Sequence, residues 1–251
     1  MNNSSVLVSI ITPVYNSERF IKETIQSVQK QTYANWEIIL VDDCSTDSSE
    51  RIIRYMIEKD PKIKYIKLEN NSGAAVARNT AIKNSKGRFI AFLDSDDLWE
   101  CDKLEKQIKF MLNKDIGFSF TGYNLIDEDG NDLDKVIKVP DQIDYDGLLK
   151  NTIIGCLTVM IDRSKIGDFR MPLIRAGQDT ATWLSILKKG YIAYGLNEPL
   201  ARYRKVEGSI SSNKIKALKR TWNIYRNLEK LPLPKTVYVF TCYIINALKK
   251  R

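Results

Sequence analysis

Along the first hundred residues, short β-rich runs, two of them (6–11 and 38–41) nearly continuous apolar, alternate with stretches whose apolar positions recur at helical spacing. The runs cover residues 6–12, 36–41, 63–68 and 89–93; the helical stretches cover 18–30, 48–59 and 73–84. Strands this apolar are buried on both faces, which predicts a parallel sheet wrapped by helices. Further on, the pattern predicts a helix over 103–113 and a strand over 117–123. A second strand over 157–161, a helix over 178–188 ended by Gly190, and a strand over 200–203 follow. The polar stretch 124–143, with a turn at Asp129-Gly130-Asn131-Asp132, reads as a hairpin or a mobile loop over the site. The chain ends in a helical tail, broken into two helices at Pro232 and Pro234.

Each of the first four strands runs into a polar cluster. These are Pro13-Val14-Tyr15-Asn16, Asp42-Asp43-Cys44-Ser45, Asn70-Asn71-Ser72-Gly73 and Asp94-Ser95-Asp96-Asp97. Ligands of open α/β sheets bind outside the carboxyl ends of the strands, where all four clusters would fall together. Carboxylates two apart on an extended chain point the same way, so Asp94 and Asp96 can face one divalent cation that also holds a diphosphate. The competing role is a helix N-cap, which suits Asp97 best. Asp42 and Asp43 can accept hydrogen bonds from a base or ribose, although taken alone they are explained by turn chemistry.

Composition narrows the chemistry. The 251 residues contain no histidine. That excludes Ser-His-Asp and Cys-His nucleophiles and every His-ligated metal. A general base must then be Asp, Glu, Lys or Tyr, and a metal must sit on oxygen, which points to Mn²⁺ or Mg²⁺. The cysteines Cys44, Cys101, Cys156 and Cys242 are scattered. Their spacing speaks for a reducing compartment and against zinc or a disulfide framework. The N-terminus has no signal-peptide pattern and no apolar run reaches the roughly 20 residues of a membrane span, so a cytoplasmic location is expected.

The succession Thr12-Pro13-Val14-Tyr15-Asn16, Val41-Asp42-Asp43-Cys44-Ser45-Thr46-Asp47, Asn71-Ser72-Gly73-Ala74-Ala75-Val76-Ala77-Arg78-Asn79 and Phe92-Leu93-Asp94-Ser95-Asp96-Asp97 resembles family 2 glycosyltransferases in order and spacing. The resemblance covers roughly residues 6–110 and continues at Ala176-Gly177-Gln178-Asp179. It implies the GT-A fold, a Rossmann-like mixed sheet flanked by helices, with an inverting mechanism and a nucleotide-sugar donor, most often a UDP-sugar. By motif, Pro13, Tyr15 and Asp43 would contact the pyrimidine and its ribose, and Arg78 would lie near the nucleotide. Asp94, beside Ser95, would touch the ribose or sugar, Asp96 would ligate the metal, and Asp179 would be the general base. Plainer roles remain for some: a core aromatic for Tyr15, an exposed helical charge for Arg78, a cap for Asp179. One departure is Val206, where many relatives carry a histidine; Arg204 or Lys205 would then be candidates to screen the diphosphate.

The resemblance divides the chain into a catalytic domain over 1–210, donor side to about 110 and acceptor side beyond, and a helical extension over 211–251. Charge follows the same division: residues 201–251 hold 13 Lys/Arg against two acids, and the preceding 200 hold 26 against 29. A basic, aromatic tail of this kind suits a helix lying on an anionic membrane, or one packed on the enzyme or on a second copy. The membrane reading fits a glycan or polyprenyl-linked acceptor at the inner face of the cell membrane, as in bacterial surface-polysaccharide assembly. A sugar-phosphate nucleotidyltransferase lacks support in the Thr12–Asn16 loop, which is not glycine-rich. A non-catalytic basic binding protein rests on the tail alone, and no nucleic-acid partner is expected.

Overall fold

The computed structural model describes residues 6–206 and 214–249. Its amino-terminal half is the expected alternation. Strands β1 (Val8–Val14), β2 (Trp36–Asp42), β3 (Ile63–Lys67) and β4 (Phe89–Phe92) run parallel, joined by helices α1 (Ile21–Gln29), α2 (Ser49–Ile57) and α3 (Ala74–Asn84). Neighbouring residues within a strand face opposite sides. Ile10, Ile38 and Leu40 join one core with α1 and α2; Ile11, Ile39 and Val41 join the other with α3. That two-sided burial is why these strands read as continuous apolar runs.

After β4 come β5 (Leu98–Trp99), α4 (Lys103–Asn113), β6 (Phe118–Ile126), β7 (Asp132–Ile137) and β8 (Gln142–Ile143). Helix α5 (Tyr145–Lys150), strand β9 (Met160–Asp162), α6 (Arg163–Ile166), α7 (Gln178–Leu187) and β10 (Ala193–Arg204) complete the sheet region. The main order is β3-β2-β1-β4-β9-β6-β10-β5, with β7 on β6 and β8 on β10. Strand β9 is antiparallel to both β4 and β6, which makes the sheet mixed. Strands β2 and β3 lie on one side of β1 and β4 on the other. The order therefore reverses between β1 and β4, and a cleft at their carboxyl ends is the expected ligand site.

Several predicted elements shift. The strand expected over 157–161 begins as a 3-10 turn, Cys156–Thr158, and only Met160 starts β9. The strand expected over 200–203 is the end of a twelve-residue β10 whose pairing with β6 slips twice. The 124–143 stretch forms the β6–β7 hairpin, with Gly130 at φ +87 in its turn. The tail consists of α8 (Lys214–Asn223), a π-helical turn (Ile224–Leu228) and α9 (Leu233–Lys249). Pro234 lies in the first turn of α9, where a missing N–H breaks no hydrogen bond. Tyr225 is fully buried and donates its hydroxyl proton to the Leu149 carbonyl, while Leu231 and Val239 join the α3-side core. One side of the tail is therefore packed on the enzyme. Among the described residues no helix is long and apolar enough to cross a membrane.

Trp183 of α7 anchors this core. It is fully buried, with its ring edge-on to Phe92 and Phe118 at centroid distances of 5.3 Å each. Trp183→Ala should cost about 3–5 kcal/mol in urea unfolding, through lost burial and the cavity left behind. A loss below about 1 kcal/mol would show that the site collapses around the missing ring.

Candidate active site

The cleft at the β1/β4 switch point is built from four loops, three of which hold one another through backbone amides. Asp43, almost wholly buried, accepts from the Ser72 amide at 2.6 Å and the Gly73 amide at 2.7 Å. It thereby orders the start of α3, where Gly73 sits at φ +89. Asp42 accepts from the Ser45 amide and the Tyr65 hydroxyl, so the turn role applies to it. Asn16, at φ +47, receives the Thr46 amide on its side chain and donates its own amide to Ser45. Between them Tyr15 stands 54% exposed at the lip, which removes the core-aromatic role, and Pro13 is half-buried in β1.

Arg78 is the hub. Rather than an exposed helical charge, it is buried, donates to Asp94 at 2.5 Å and leaves its Nε without a partner. Burial works against its charge, but the fields of Asp94 and, more weakly, Asp179 outweigh that and hold the guanidinium charged. Three residues far apart in sequence are thus brought into one electrostatic unit. Ser95 shares a 2.7 Å hydrogen bond with the Ser17 hydroxyl, and its carbonyl lies 3.0 Å from the Thr24 hydroxyl on α1.

The Asp96 carboxyl is raised to about 6, by burial first and by neighbouring Asp94 second. Asp97 is raised further by burial and by both aspartates. Asp97 does not cap the following helix: β5 intervenes, and α4 begins after Asp102. Its Oδ1 instead accepts the Arg204 amide at 2.8 Å, which pins β10 to the loop, while its Oδ2 is buried without a partner. The Arg204 side chain is also committed. It donates to the Asp96 carbonyl at 2.8 Å, to Glu23 at 2.7 Å and to the Glu128 carbonyl at 2.9 Å. The guanidinium thus ties the acidic loop to α1 and the hairpin and is not available to screen a diphosphate. Residues 207–211 of the same motif lie outside the described residues.

Asp179 stands in the first turn of α7, but the cap is Gly177, in the left-handed region at φ +79. Among the described residues its carboxylate takes no hydrogen bond and no ion pair, so the capping role has no support. Beneath it lies Cys156, whose thiol is pushed up by burial against the pull of Arg78, with Asp94 and Asp179 also within reach of its field. A thiol held neutral fills the floor and is no nucleophile. Lys103, lowered to about 7 by burial, and Gln107 support this turn through the Thr158 carbonyl, 3.0 Å from the Gln107 amide. Tyr123, whose hydroxyl is pushed up to about 12 by burial, packs edge-on to Tyr203 at 6.1 Å. Cys156 and Tyr123 carried no sequence signal for the site, and Arg204 was expected at the diphosphate, because each acts through burial or a long-range contact.

The donor set can also be tested for a metal. Among the described residues no three Cys, Asp or Glu side chains converge on one point. Asp94 is taken up by Arg78, which leaves Asp96 as a half-buried candidate oxygen ligand with a proton-hungry carboxylate. One such ligand suits a hard cation whose other positions are filled by substrate oxygens and water. The residues fit a shared ion and not a closed protein cage.

A mixed sheet with an acidic loop at its switch point is the architecture of a GT-A transferase. The chain belongs to glycosyl transferase family 2, whose pattern matches residues 9–166, and it is a glycosyltransferase. It is 55% identical over 251 residues, all of both chains, to TuaG of Bacillus subtilis, a glycosyltransferase assigned to teichuronic acid biosynthesis. It is 44% identical over 246 residues, 97% of this chain and 94% of the other, to WfgD of Escherichia coli, a UDP-Glc:alpha-D-GlcNAc-diphosphoundecaprenol beta-1,3-glucosyltransferase. Among solved structures, Staphylococcus aureus TarS in complex with UDP superposes with a TM-score of 0.69 at 20% identity, over 93% of this chain and 69% of TarS. The Pyrobaculum calidifontis mannosyltransferase PcManGT, in complex with GDP-Man and Mn²⁺, gives 0.70 at 19% identity, over 94% and 68%. These two likenesses establish the shared fold.

Proposed function

We propose that this enzyme moves a sugar from a UDP-sugar, with inversion, to a hydroxyl of a glycan carried on a polyprenyl diphosphate during bacterial surface-polysaccharide assembly. The observation that carries the reading is Asp179, a carboxylate with no partner among the described residues, set in the field of Arg78, whose ion-pair partner is the donor-side Asp94. Asp179 accepts the proton of the acceptor hydroxyl, whose oxygen forms a bond to the anomeric carbon. The bond from that carbon to the phosphate oxygen breaks, and the nucleoside diphosphate leaves with the electron pair. Attack from the face opposite the leaving group inverts the centre, so no covalent intermediate is needed.

On the donor side, Tyr15 offers an exposed ring to the pyrimidine, with Pro13 beneath it and Asp43 shaping the ribose end. Asp94 and Ser95 hold the ribose or sugar, and Arg78 keeps Asp94 in place. A divalent cation, Mn²⁺ or Mg²⁺, would be held by Asp96 and would neutralise charge on the departing diphosphate. Similarity at 44% identity, over nearly the whole length, to a relative named for UDP-Glc and an undecaprenyl-linked acceptor supports both substrate classes. The outer face of α9, with Leu233, Val237, Tyr238, Ile245 and Leu248 exposed, supports attachment to the inner face of the membrane.

A panel of nucleotide sugars with Mn²⁺, read by thermal shift, tests the donor. UDP-sugars should raise Tm and GDP-sugars should not. Stabilisation by GDP-sugars alone, or by none, would sink the donor assignment.

A further inference from the structure

Helix α8 reaches the catalytic loop. A methyl added to Gly177, two residues before Asp179, would meet the Arg220 Cδ and Ile224 Cδ1 atoms at 2.9 Å each. The adjoining side of the same helix, together with α9, lines an open groove of about 750 Å³. Ile215, Leu218, Trp222 and Phe240 form its apolar wall, and Lys219 and Arg226 stand among them. The Trp222 and Phe240 rings meet edge to face, 5.1 Å between centroids, and Ile215 is 68% exposed. An α-helix is roughly 10–12 Å across with its side chains. Groove and catalytic loop are therefore separated by about one helix, comparable to the reach of a sugar diphosphate.

We propose that this groove holds the apolar chain of an isoprenoid diphosphate, the lipid part of the acceptor, while Arg220 and Lys219 meet its diphosphate. The inference rests on the lipid-linked acceptor proposed above and assigns that lipid a place. The argument is charge complementarity joined to continuity. Among the described residues the apolar wall is interrupted by cations and not by acids, as a chain ending in an anion requires. The helix that carries them touches the loop of the general base. A bare lipid surface would account for the outward stripe of α9 but not for cations placed between the groove and Gly177.

The test is calorimetric titration of the full chain, in EDTA, with farnesyl diphosphate below its micelle threshold. Inorganic diphosphate, farnesol and phosphatidylglycerol vesicles serve as separate arms. Farnesyl diphosphate should bind, and Trp222→Ala and Leu218→Asp should each weaken it by about tenfold or more. UDP binding with Mn²⁺ should be unchanged, which also shows that the variants fold. Should the apolar variants fail to fold, Lys219→Glu must weaken farnesyl diphosphate and leave farnesol unaffected. Equal affinity in wild type and variants, or no binding at all, overturns the proposal. A loss confined to the vesicles makes the groove a membrane face, and a change from dimer to monomer makes it a self-contact; either overturns it too. A protein that binds UDP but ignores farnesyl diphosphate loses the groove alone, whereas one that fails to bind UDP loses the donor reading.

Discussion

Asp179→Asn should lower kcat by about 10²–10⁴-fold, the usual contribution of a positioned general base, and leave UDP binding with Mn²⁺ within twofold of wild type. The separation follows from where the residue sits. Asp179 makes no hydrogen bond to the loops that order the donor, and those loops hold one another through Asp43, Asn16 and Ser17. Asparagine keeps the shape and the first-turn position and removes the proton acceptor, so only the chemical step should suffer. Initial rates under saturating donor, with a parallel UDP titration, make the comparison. Full activity in the variant would remove the base assignment, and lost UDP binding would move Asp179 to the donor side.

The second large effect concerns Asp96 and has opposite signs for activity and stability. Its carboxyl is raised to about 6 from the ordinary 3.8 by burial and by Asp94. A raised carboxylate stabilises the fold fully below its unfolded pKa, and that stability is lost as pH rises through the folded value. The metal-free enzyme should therefore be less stable at pH 8 than near pH 5, by about 1–2 kcal/mol from this group at roughly 1.4 kcal/mol per unit, the rest of its effect lying below pH 5. Asp97, raised in the same direction, adds to the trend. Asp96→Asn should cancel most of the Asp96 part and raise the Tm of the EDTA-treated protein at pH 8 by several degrees, at roughly 2–4 °C per kcal/mol. Mn²⁺ with UDP should stabilise wild type, by about 2.7 kcal/mol at a hundredfold excess over Kd, and should not stabilise the variant. Activity should fall as pH drops through about 6, because the proton competes with the cation. A variant that is less stable at pH 8, or that is still stabilised by Mn²⁺ with UDP, would show that Asp96 is not the ligand.

The donor half was largely legible in the residue pattern, for a physical reason. Strands β1, β2 and β4 are buried on both faces and β1 to β3 are each followed by their own helix, so their apolar runs and polar ends are local signals. The acceptor half was less legible because its elements answer to distant partners. Residues 157 and 158 read as strand, yet Lys103 and Gln107 from α4 support them in a tight turn. Strand β10 is long because β6 and β5 flank it, and its register slips are invisible without them.

The sequence alone determined the chemistry on offer: no imidazole, oxygen ligands for any cation, carboxylates after the second and fourth apolar runs, and a basic tail. Tertiary structure decided which groups those carboxylates answer to. Asp97, Arg204 and Arg78 are charged residues in loops or helices by sequence, and only burial turns them into a pin for β10, a clamp on the acidic loop and a bridge from Asp94 towards Asp179. The same holds for the tail. Its charge and its aromatic residues are local properties, but the contact of α8 with Gly177 is made across some forty residues of chain. Burial and long-range contact depend on the whole packed chain, and no window of sequence contains them.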